Sequence, residues 1–360
     1  MTKVRVLVVE DSLTIRKRLI EVLEEAPNFE VVGEAEDGRQ AIERCMALKP
    51  DAVTMDMMLP VMTGLAATEY IMAHCPTPIL VVSASFNRGE VFRTYDALAA
   101  GAVEVIEKPT GQEAPGDWER EFLSTLKIVS RVRVITHPRA RLNGISHEPK
   151  EAALTLSPKL LPSTEPRPIA LLALGASTGG PNALVEVLRS LPKDLTAPVL
   201  VVLHIGAPFA PAFGEWMGAQ ISRPVSYAQG GEIIRTLGRR VVFAPPDRHL
   251  VVRAGRLELT DDPERHSCKP SVDVMFESIA REYGPEAAAG LLTGMGRDGA
   301  SGLLALRRSG AATIAQDEAT SIIYGMPREA ALLGAADRIL PLGEIGPALG
   351  DIVRARGQAP

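Results

Sequence analysis

A strand, a tight turn and a helix follow one another in the stretch IALLALGASTGGPN, residues 169–182. Its first six residues form an apolar run as long as a buried strand. Ser177 comes soon after, between small residues that let the backbone turn sharply and present the hydroxyl at the edge of a sheet. A helix is predicted from Asn182 onward, because an apolar face at helical spacing begins there. The stretch therefore predicts an α/β sheet with a serine at its edge.

The rest of the second half repeats this pattern of strands and helices. Further apolar runs of strand length end at Leu203, Ala244, Leu292 and Ala315. A small hairpin is predicted over residues 249–260, with its turn at Ala254-Gly255. Because helical patterns separate the other runs, the second half is predicted to be a Rossmann-like α/β domain with a doubly wound, mostly parallel sheet.

The first half also alternates between strands and helices. Its apolar runs end at Val9, Val32, Met55, Val82 and Ile106. Helical patterns lie between these runs, for example over residues 40–48 and 90–99, and a last amphipathic helix follows the fifth run. Five strands alternating with helices predict a second doubly wound parallel sheet, of the flavodoxin-like kind.

A proline-rich segment separates the two halves. Residues 131–168 lose the alternation of strands and helices and contain six prolines together with basic residues, serine and threonine. This composition is typical of a semi-extended linker. We therefore predict a first domain over residues 1–130, a linker over 131–167 and a second domain over 168–355.

Composition excludes several classes of protein. With 360 residues, of which 46% are hydrophobic and 23% charged, the chain is long enough for about two globular domains. A net charge of -5 and an aromatic content of 4% argue against nucleic acid as a partner. No apolar run reaches the length of a membrane span, so we predict no membrane insertion, and the first residues predict no signal peptide. Three cysteines, an odd number without the Cys-x-x-Cys spacing, predict reduced thiols and a cytoplasmic location.

Polar side chains follow four strands of the first sheet, at the edge where such sheets bind ligands. These side chains belong to Glu10, Asp11, Asp56, Ser83 and Lys108. Clustered carboxylates suit a hard cation such as Mg²⁺, beside which a carboxylate can act as a nucleophile toward a phosphoryl group. A lysine and a hydroxyl can stabilise the charged oxygens. The edge is therefore predicted to form an aspartyl phosphate.

Over about residues 3–125 the sequence resembles the response-regulator receiver domain. The resemblance implies that Asp56 accepts the phosphoryl group from a sensor histidine kinase and that Glu10, Asp11 and Asp56 hold Mg²⁺. It also implies that Ser83 and Lys108 stabilise the phosphoryl group. Receivers often carry an aromatic residue three positions before the lysine, where this sequence has Val105. The matching segments are residues 8–12, Asp56 with Leu59-Pro60 and Gly64, Ser83-Ala84, and Lys108-Pro109.

Three residues of the second half have the chemistry of a serine hydrolase. Ser177, His204 and Asp298 each follow a predicted strand of one sheet. Together they would supply a nucleophile, a general base and a carboxylate that orients the base. Taken singly, each has another interpretation: a turn that binds a phosphate, a structural histidine, or an aspartate that caps a helix.

Over about residues 168–350 the second half resembles the chemotaxis protein-glutamate methylesterase. This family hydrolyses methyl esters of glutamate in methyl-accepting chemotaxis receptors and deamidates receptor glutamines. By the resemblance Ser177, His204 and Asp298 form the triad, the amides of Thr178 and Met295 hold the oxyanion, and the hydrolase needs no cofactor. The matching segments are residues 175–181, 270–276, 293–300, 315–318 and 324–330.

Three alternatives stay open from the sequence alone. A DNA-binding second domain would need a basic recognition helix, and a nucleotide-binding module would use the turn at residues 175–181. Cys268 is a weaker candidate nucleophile, because no strand precedes it.

For the two halves together we predict that the unphosphorylated first domain covers the hydrolase site and that phosphorylation of Asp56 releases it.

Overall fold

Two compact units make up the chain in the computed structural model. It describes residues 3–84, 88–111, 113–132, 134 and 167–357. The described part of the first unit ends at residue 134, and that of the second begins at residue 167. Most of the predicted linker therefore lies outside the described residues, and the bounds 1–130, 131–167 and 168–355 stay predictions.

The first unit is a five-stranded parallel sheet with the strand order β2-β1-β3-β4-β5. This order is the flavodoxin-like one, which confirms the predicted fold. The strands are β1 (Val4–Val9), β2 (Phe29–Ala35), β3 (Ala52–Met55), β4 (Ile79–Ser83) and β5 (Glu104–Glu107). The helices are α1 (Leu13–Glu25), α2 (Gly38–Leu48), α3 (Gly64–His74), α4 (Arg88–Ala99) and α5 (Asp117–Val129).

The chain turns closely around the end of β3. A side chain on Gly64, where α3 begins, would overlap the backbone carbonyl of Asp56. The amide of Gly64 also donates a hydrogen bond to the carbonyl of Met57. Glycine is therefore required at position 64 so that α3 can start directly behind the predicted phosphorylation site.

The second unit is a seven-stranded parallel sheet with the order β14-β13-β12-β6-β7-β9-β8. The predicted hairpin is confirmed as the antiparallel pair β10 and β11. The strands are β6 (Leu171–Ala176), β7 (Val199–Leu203), β8 (Val225–Tyr227), β9 (Val241–Phe243), β10 (His249–Arg253), β11 (Arg256–Thr260), β12 (Ala287–Leu291), β13 (Ala312–Gln316) and β14 (Arg338–Leu340).

Within residues 167–357, six α-helices flank this second sheet. Helix α6 packs against α11, whereas α8 packs against α9 and against the hairpin strand β10. The helices are α6 (Gly180–Ser190), α7 (Ala210–Gln220), α8 (Val272–Glu282), α9 (Ala300–Arg308), α10 (Met326–Leu332) and α11 (Leu342–Arg356). Both predicted α/β sheets are thus confirmed. Among the described residues no helix combines the length and the apolar character needed to cross a membrane.

Candidate active site and phosphorylation site

Ser177 and His204 lie side by side at the carboxyl edge of the second sheet. Strands β6 and β7 are paired, with Ala176 opposite Leu203. Ser177 follows β6 and His204 follows β7, so these two residues are neighbours as well. The amide of His204 donates a hydrogen bond of 3.1 Å to the carbonyl of Ala176. On the other side, the amide of Ser177 donates to the carbonyl of Thr293, at the end of β12.

Asp298 reaches the imidazole of His204 from the loop after β12. Its Oδ2 lies 3.0 Å from Nε2 of His204. The carboxylate also accepts hydrogen bonds from the Ser271 hydroxyl at 2.7 Å and from the amides of Val272 and Asp273. Because these two amides begin α8, the partial positive charge of the helix N-terminus stabilises the carboxylate. Asp298 is therefore fixed in place and presents one oxygen to the histidine.

The pKa values of this pair move in opposite directions. Burial raises the pKa of Asp298, but hydrogen bonds from His204, Ser271 and Asp273 outweigh burial and hold the pKa below its usual range. Burial lowers the pKa of His204, but its contacts with Asp298 and Cys268 outweigh burial and raise the pKa to about 9. The carboxylate is thus an anion that favours the protonated imidazole.

The ring of His204 has the opposite orientation to the histidine of serine proteases. There the carboxylate binds Nδ1, whereas here it binds Nε2. Nδ1 is therefore the nitrogen left to accept a proton from a nucleophile. Among the described residues no hydrogen bond joins Ser177 to His204; such bonds often tighten only when substrate binds.

Two backbone amides beside Ser177 have no hydrogen-bond acceptor among the described residues. They belong to Thr178, in the turn before α6, and to Met295, in the loop after β12. These are the two amides that the family resemblance assigns to the oxyanion. Met295 is 52% exposed, so substrate can reach this loop.

Two polar residues of this site are not predicted from the sequence. Ser271 lies just before a helix, where serine is a typical cap, but the sequence does not indicate its hydrogen bond to Asp298. The sequence offers Cys268 only as a weak candidate nucleophile, whereas its Sγ lies 3.8 Å from Nδ1 of His204. The turn that carries it follows no strand, and no sequence pattern connects it with His204.

Three acids at the edge of the first sheet lie close to one lysine. Nζ of Lys108 lies 3.0 Å from Oδ1 of Asp56 and 3.0 Å from Oε2 of Glu10. Asp11 is exposed beside them, and ligand oxygens of the three acids lie within 4.8 Å of one another. Burial, followed by repulsion from Asp56, raises the pKa of Glu10 to about 7.

This acidic cluster suits a hard cation. Oδ2 of Asp56 is buried and accepts no hydrogen bond from any described residue. A buried carboxylate oxygen without a donor is costly unless a cation or a water satisfies it. Clustered carboxylate oxygens, one of them open to solvent through Asp11, match the ligands that Mg²⁺ prefers.

Ser83 makes its side-chain contacts with α4. Its hydroxyl donates a hydrogen bond of 3.0 Å to Oε1 of Glu90, and Thr94 donates to the Ser83 oxygen. The amide of Ala84 donates to the same Glu90 oxygen. Among the described residues no side-chain hydrogen bond joins Ser83 to Asp56 or Lys108. The structure therefore brings Glu10, Asp11, Asp56 and Lys108 together, with the Ser83 hydroxyl engaged elsewhere.

These features define a class of protein: a response-regulator receiver joined to an α/β domain that has a histidine–aspartate pair beside a serine. The family model described as response regulator receiver domain matches residues 6–114, and that described as CheB methylesterase matches residues 172–349.

Many relatives match nearly the whole chain, and two of them show the degree of similarity. A protein-glutamate methylesterase/protein-glutamine glutaminase of Nitrosospira multiformis is 40% identical over 359 residues, which are 99% of this chain and 98% of the relative. A second, from Anaeromyxobacter dehalogenans, is 41% identical and covers 98% of this chain and 97% of its own length. The crystal structure of the Thermotoga maritima CheB methylesterase catalytic domain aligns with 51% of this chain and 99% of its own, at 31% identity and a TM-score of 0.49.

The chain belongs to the CheB methylesterase family. The resemblance and the ester-hydrolase class predicted from the sequence are confirmed by these matches. The alternatives of a DNA-binding or nucleotide-binding second domain are not supported, because the methylesterase family covers that part of the chain.

Proposed function

We propose that Ser177 is the nucleophile that hydrolyses γ-methyl esters of glutamate in methyl-accepting chemotaxis receptors. The observation that carries this proposal is the hydrogen-bonded pair of His204 and Asp298 at the sheet edge where Ser177 follows the neighbouring strand β6. The names of the relatives, protein-glutamate methylesterase/protein-glutamine glutaminase, support the substrate class. Release of methanol from methylated receptor tests the proposal.

The reaction follows from the orientation of His204. Nδ1 removes the hydroxyl proton as Oγ of Ser177 attacks the ester carbonyl, while Asp298 stabilises the imidazolium through Nε2. The tetrahedral intermediate collapses, the imidazolium returns the proton to the methoxide oxygen, and methanol leaves. Water then attacks the acyl-serine with help from the same nitrogen and releases free glutamate.

The amides of Thr178 and Met295 would hold the oxyanion of both tetrahedral intermediates. Neither amide has an acceptor among the described residues, which leaves both available to the substrate. The N-terminus of α6, which begins at Gly180, adds a partial positive charge behind Ser177. Glutamine deamidation fits the same site, because an amide carbonyl passes through the same intermediate and loses ammonia in place of methanol.

In the first unit we propose that Asp56 accepts the phosphoryl group from a sensor histidine kinase. Glu10, Asp11 and Asp56 would hold Mg²⁺, which when bound neutralises the charge of the transferring phosphoryl group. Lys108 is already within 3.0 Å of Asp56 and would stabilise the phosphoryl oxygens. Ser83 must turn away from Glu90 to do the same. That movement would transmit phosphorylation to α4, although position 105 holds valine and not an aromatic residue.

The proposed partners are chemotaxis receptors and a histidine kinase, with no nucleic acid partner and no membrane insertion. We propose that the unphosphorylated receiver covers Ser177 and that phosphorylation shifts the population toward an uncovered state. The three cysteines are unpaired, which fits a reducing, cytoplasmic compartment.

Gly294 sets how closely the loop after β12 approaches Ser177. A Cβ at position 294 would lie 2.8 Å from the Cβ of Ser177 and would overlap the sulfur of Met326. Gly294→Ala is therefore expected to displace Ser177 and to lower the rate of methanol release about 100-fold, as expected when a reacting group moves by about 1 Å. A rate assay on the purified full chain measures this loss.

Gly218→Ala is the matched control for this prediction. Gly218 is exposed on α7, and a Cβ there would meet nothing closer than 4.0 Å. In a helix alanine is more stable than glycine by about 0.5–1 kcal/mol. Because the added methyl group meets no close neighbour, Gly218→Ala should fold normally and keep the full rate. Equal rates for Gly294→Ala and Gly218→Ala would contradict the tight packing beside Ser177.

The pH dependence of catalysis should reflect the raised pKa of His204. Because Nδ1 must be unprotonated to act as a base, kcat/KM is expected to rise with pH above 7, with a midpoint near the His204 pKa of about 9. Replacing Asp298 by Asn removes the hydrogen-bonded anion, so Asp298→Asn should lower the pKa of His204. NMR titration of the imidazole signal, assigned with His204→Gln, measures this. An unchanged or higher pKa in Asp298→Asn would refute the role of Asp298.

A further inference from the structure

The turn over residues 265–268 places a thiol against the catalytic base. Sγ of Cys268 lies 3.8 Å from Nδ1 of His204, the nitrogen that does not face Asp298. The cysteine is half-buried and the His204 side chain is 17% exposed, so small solutes can reach both from solvent. The proposed ester hydrolysis has no use for this thiol.

Several contacts fix the turn in an uncommon backbone conformation. His266 and Ser267 have positive φ angles of 54° and 59°, a backbone conformation that residues other than glycine rarely adopt. The backbones of Arg265 and Cys268 exchange two hydrogen bonds across the turn. Two further hydrogen bonds of 2.7 Å hold the Arg265 guanidinium to Glu277 on α8. The surrounding structure therefore holds Cys268 at the histidine.

The geometry of the thiol and the imidazole matches that of two ligands on one zinc ion. With Zn–S of about 2.3 Å and Zn–N of about 2.1 Å, tetrahedral coordination separates sulfur and nitrogen by about 3.6 Å. The observed separation of Sγ and Nδ1 is 3.8 Å. Thiolate and imidazole together favour Zn²⁺ over the hard cation that suits the receiver acids.

Asp298 completes the arrangement from behind the ring. Histidines that bind zinc usually donate their second N–H to a carboxylate, which orients the ring and raises its basicity. Nε2 of His204 has this partner at 3.0 Å, in a carboxylate that is itself held by Ser271 and α8. Ligand atoms of His204, Cys268 and Asp298 all lie within 4.8 Å of one another. Water would fill the other coordination positions.

We propose that Cys268 and His204 form a site for a thiophilic divalent cation such as Zn²⁺, and that its binding inhibits the hydrolase. On binding, the thiol and the imidazolium at Nδ1 of His204 each release a proton to solvent, and the cation occupies the nitrogen that Ser177 needs as a base. The inhibition rests on the proposed function, because it requires His204 Nδ1 to be that base. The binding itself does not rest on it.

Binding is tested by adding Co²⁺, a spectroscopic substitute for Zn²⁺, to the full chain. We expect a thiolate-to-cobalt charge-transfer band that one equivalent of Zn²⁺ removes. Cys268→Ser and Cys268→Ala should both lack the band, whereas Cys75→Ser, which changes a half-buried thiol of the receiver, should keep it. A band that survives in both Cys268 variants, or no band in the parent chain, would overturn the proposal.

Inhibition is tested by methanol release, with each protein compared to its own zinc-free rate. At a Zn²⁺ concentration about ten times the Kd, mass action predicts about a tenfold loss of rate, reversed by chelation. Cys268→Ser should retain more than half of its own rate at that concentration. Equal loss in both proteins would contradict inhibition through Cys268. A chain that shows the cobalt band but releases no methanol without zinc would contradict the proposed hydrolysis and leave the site standing.

Discussion

Ser177→Ala should lower the rate of methanol release from methylated receptor by about 10⁴-fold or more. Alanine removes the only atom that forms the acyl-enzyme, while His204 and Asp298 keep their hydrogen bond, which does not involve Ser177. The backbone of Ser177 bonds to Thr293 and Gly180, so its position does not depend on the hydroxyl. The large loss is therefore expected with little change in the thermal midpoint of unfolding.

Ser190→Ala is the matched control for this variant. Ser190 lies at the other end of α6 and is exposed, and among the described residues its hydroxyl donates only to carbonyls of the same helix. It should retain the parent rate. If Ser177→Ala released methanol within tenfold of the parent rate, another residue would have to be the nucleophile, and the proposed role of Ser177 would be wrong.

Asp56→Asn should abolish phosphorylation by a small phosphodonor and with it the activation of the hydrolase. The carboxylate oxygen that would attack phosphorus is replaced by a neutral amide, which is not a nucleophile and binds Mg²⁺ more weakly. In the parent chain we expect the phosphodonor to raise methanol release at least about fivefold, within the usual range of coupling between two sites. Labelled phosphodonor and the methanol assay, run on the same samples, measure both effects.

Asp51→Asn is the corresponding control in the same strand region. Asp51 precedes β3, is exposed, and accepts a hydrogen bond from the amide of Arg5, which an asparagine oxygen can also accept. It should be labelled and activated like the parent. Labelling of Asp56→Asn at the parent level would show that a different residue accepts the phosphoryl group.

The receiver edge was predictable because its chemistry follows strand order. Glu10, Asp56 and Lys108 each come directly after a strand with a clear apolar run, and parallel strands bring their carboxyl ends to one edge. The same rule brought Ser177 and His204 together. For Ser83 it predicted the strand end but not the hydrogen bond to Glu90, because no short sequence pattern gives the position of α4 relative to β4.

The rest of the hydrolase site depends on contacts between segments far apart in sequence. Ser271 meets Asp298 across 27 residues and Cys268 meets His204 across 64, so no local periodicity relates them. The orientation of the His204 ring also depends on such contacts. Strands β8 and β14 are not predicted from the sequence. Each has only three residues, lies at an edge of the sheet and is not fully buried, so its apolar run is too short to indicate a strand.

The most direct test of the central claim is methanol release from methylated receptor fractions by the full chain, with and without phosphodonor. A phosphorylation-controlled serine esterase predicts release by the parent chain, at least about fivefold faster with phosphodonor, and only background release by Ser177→Ala. Background release by the parent chain under both conditions, or equal release by Ser177→Ala, would contradict the claim.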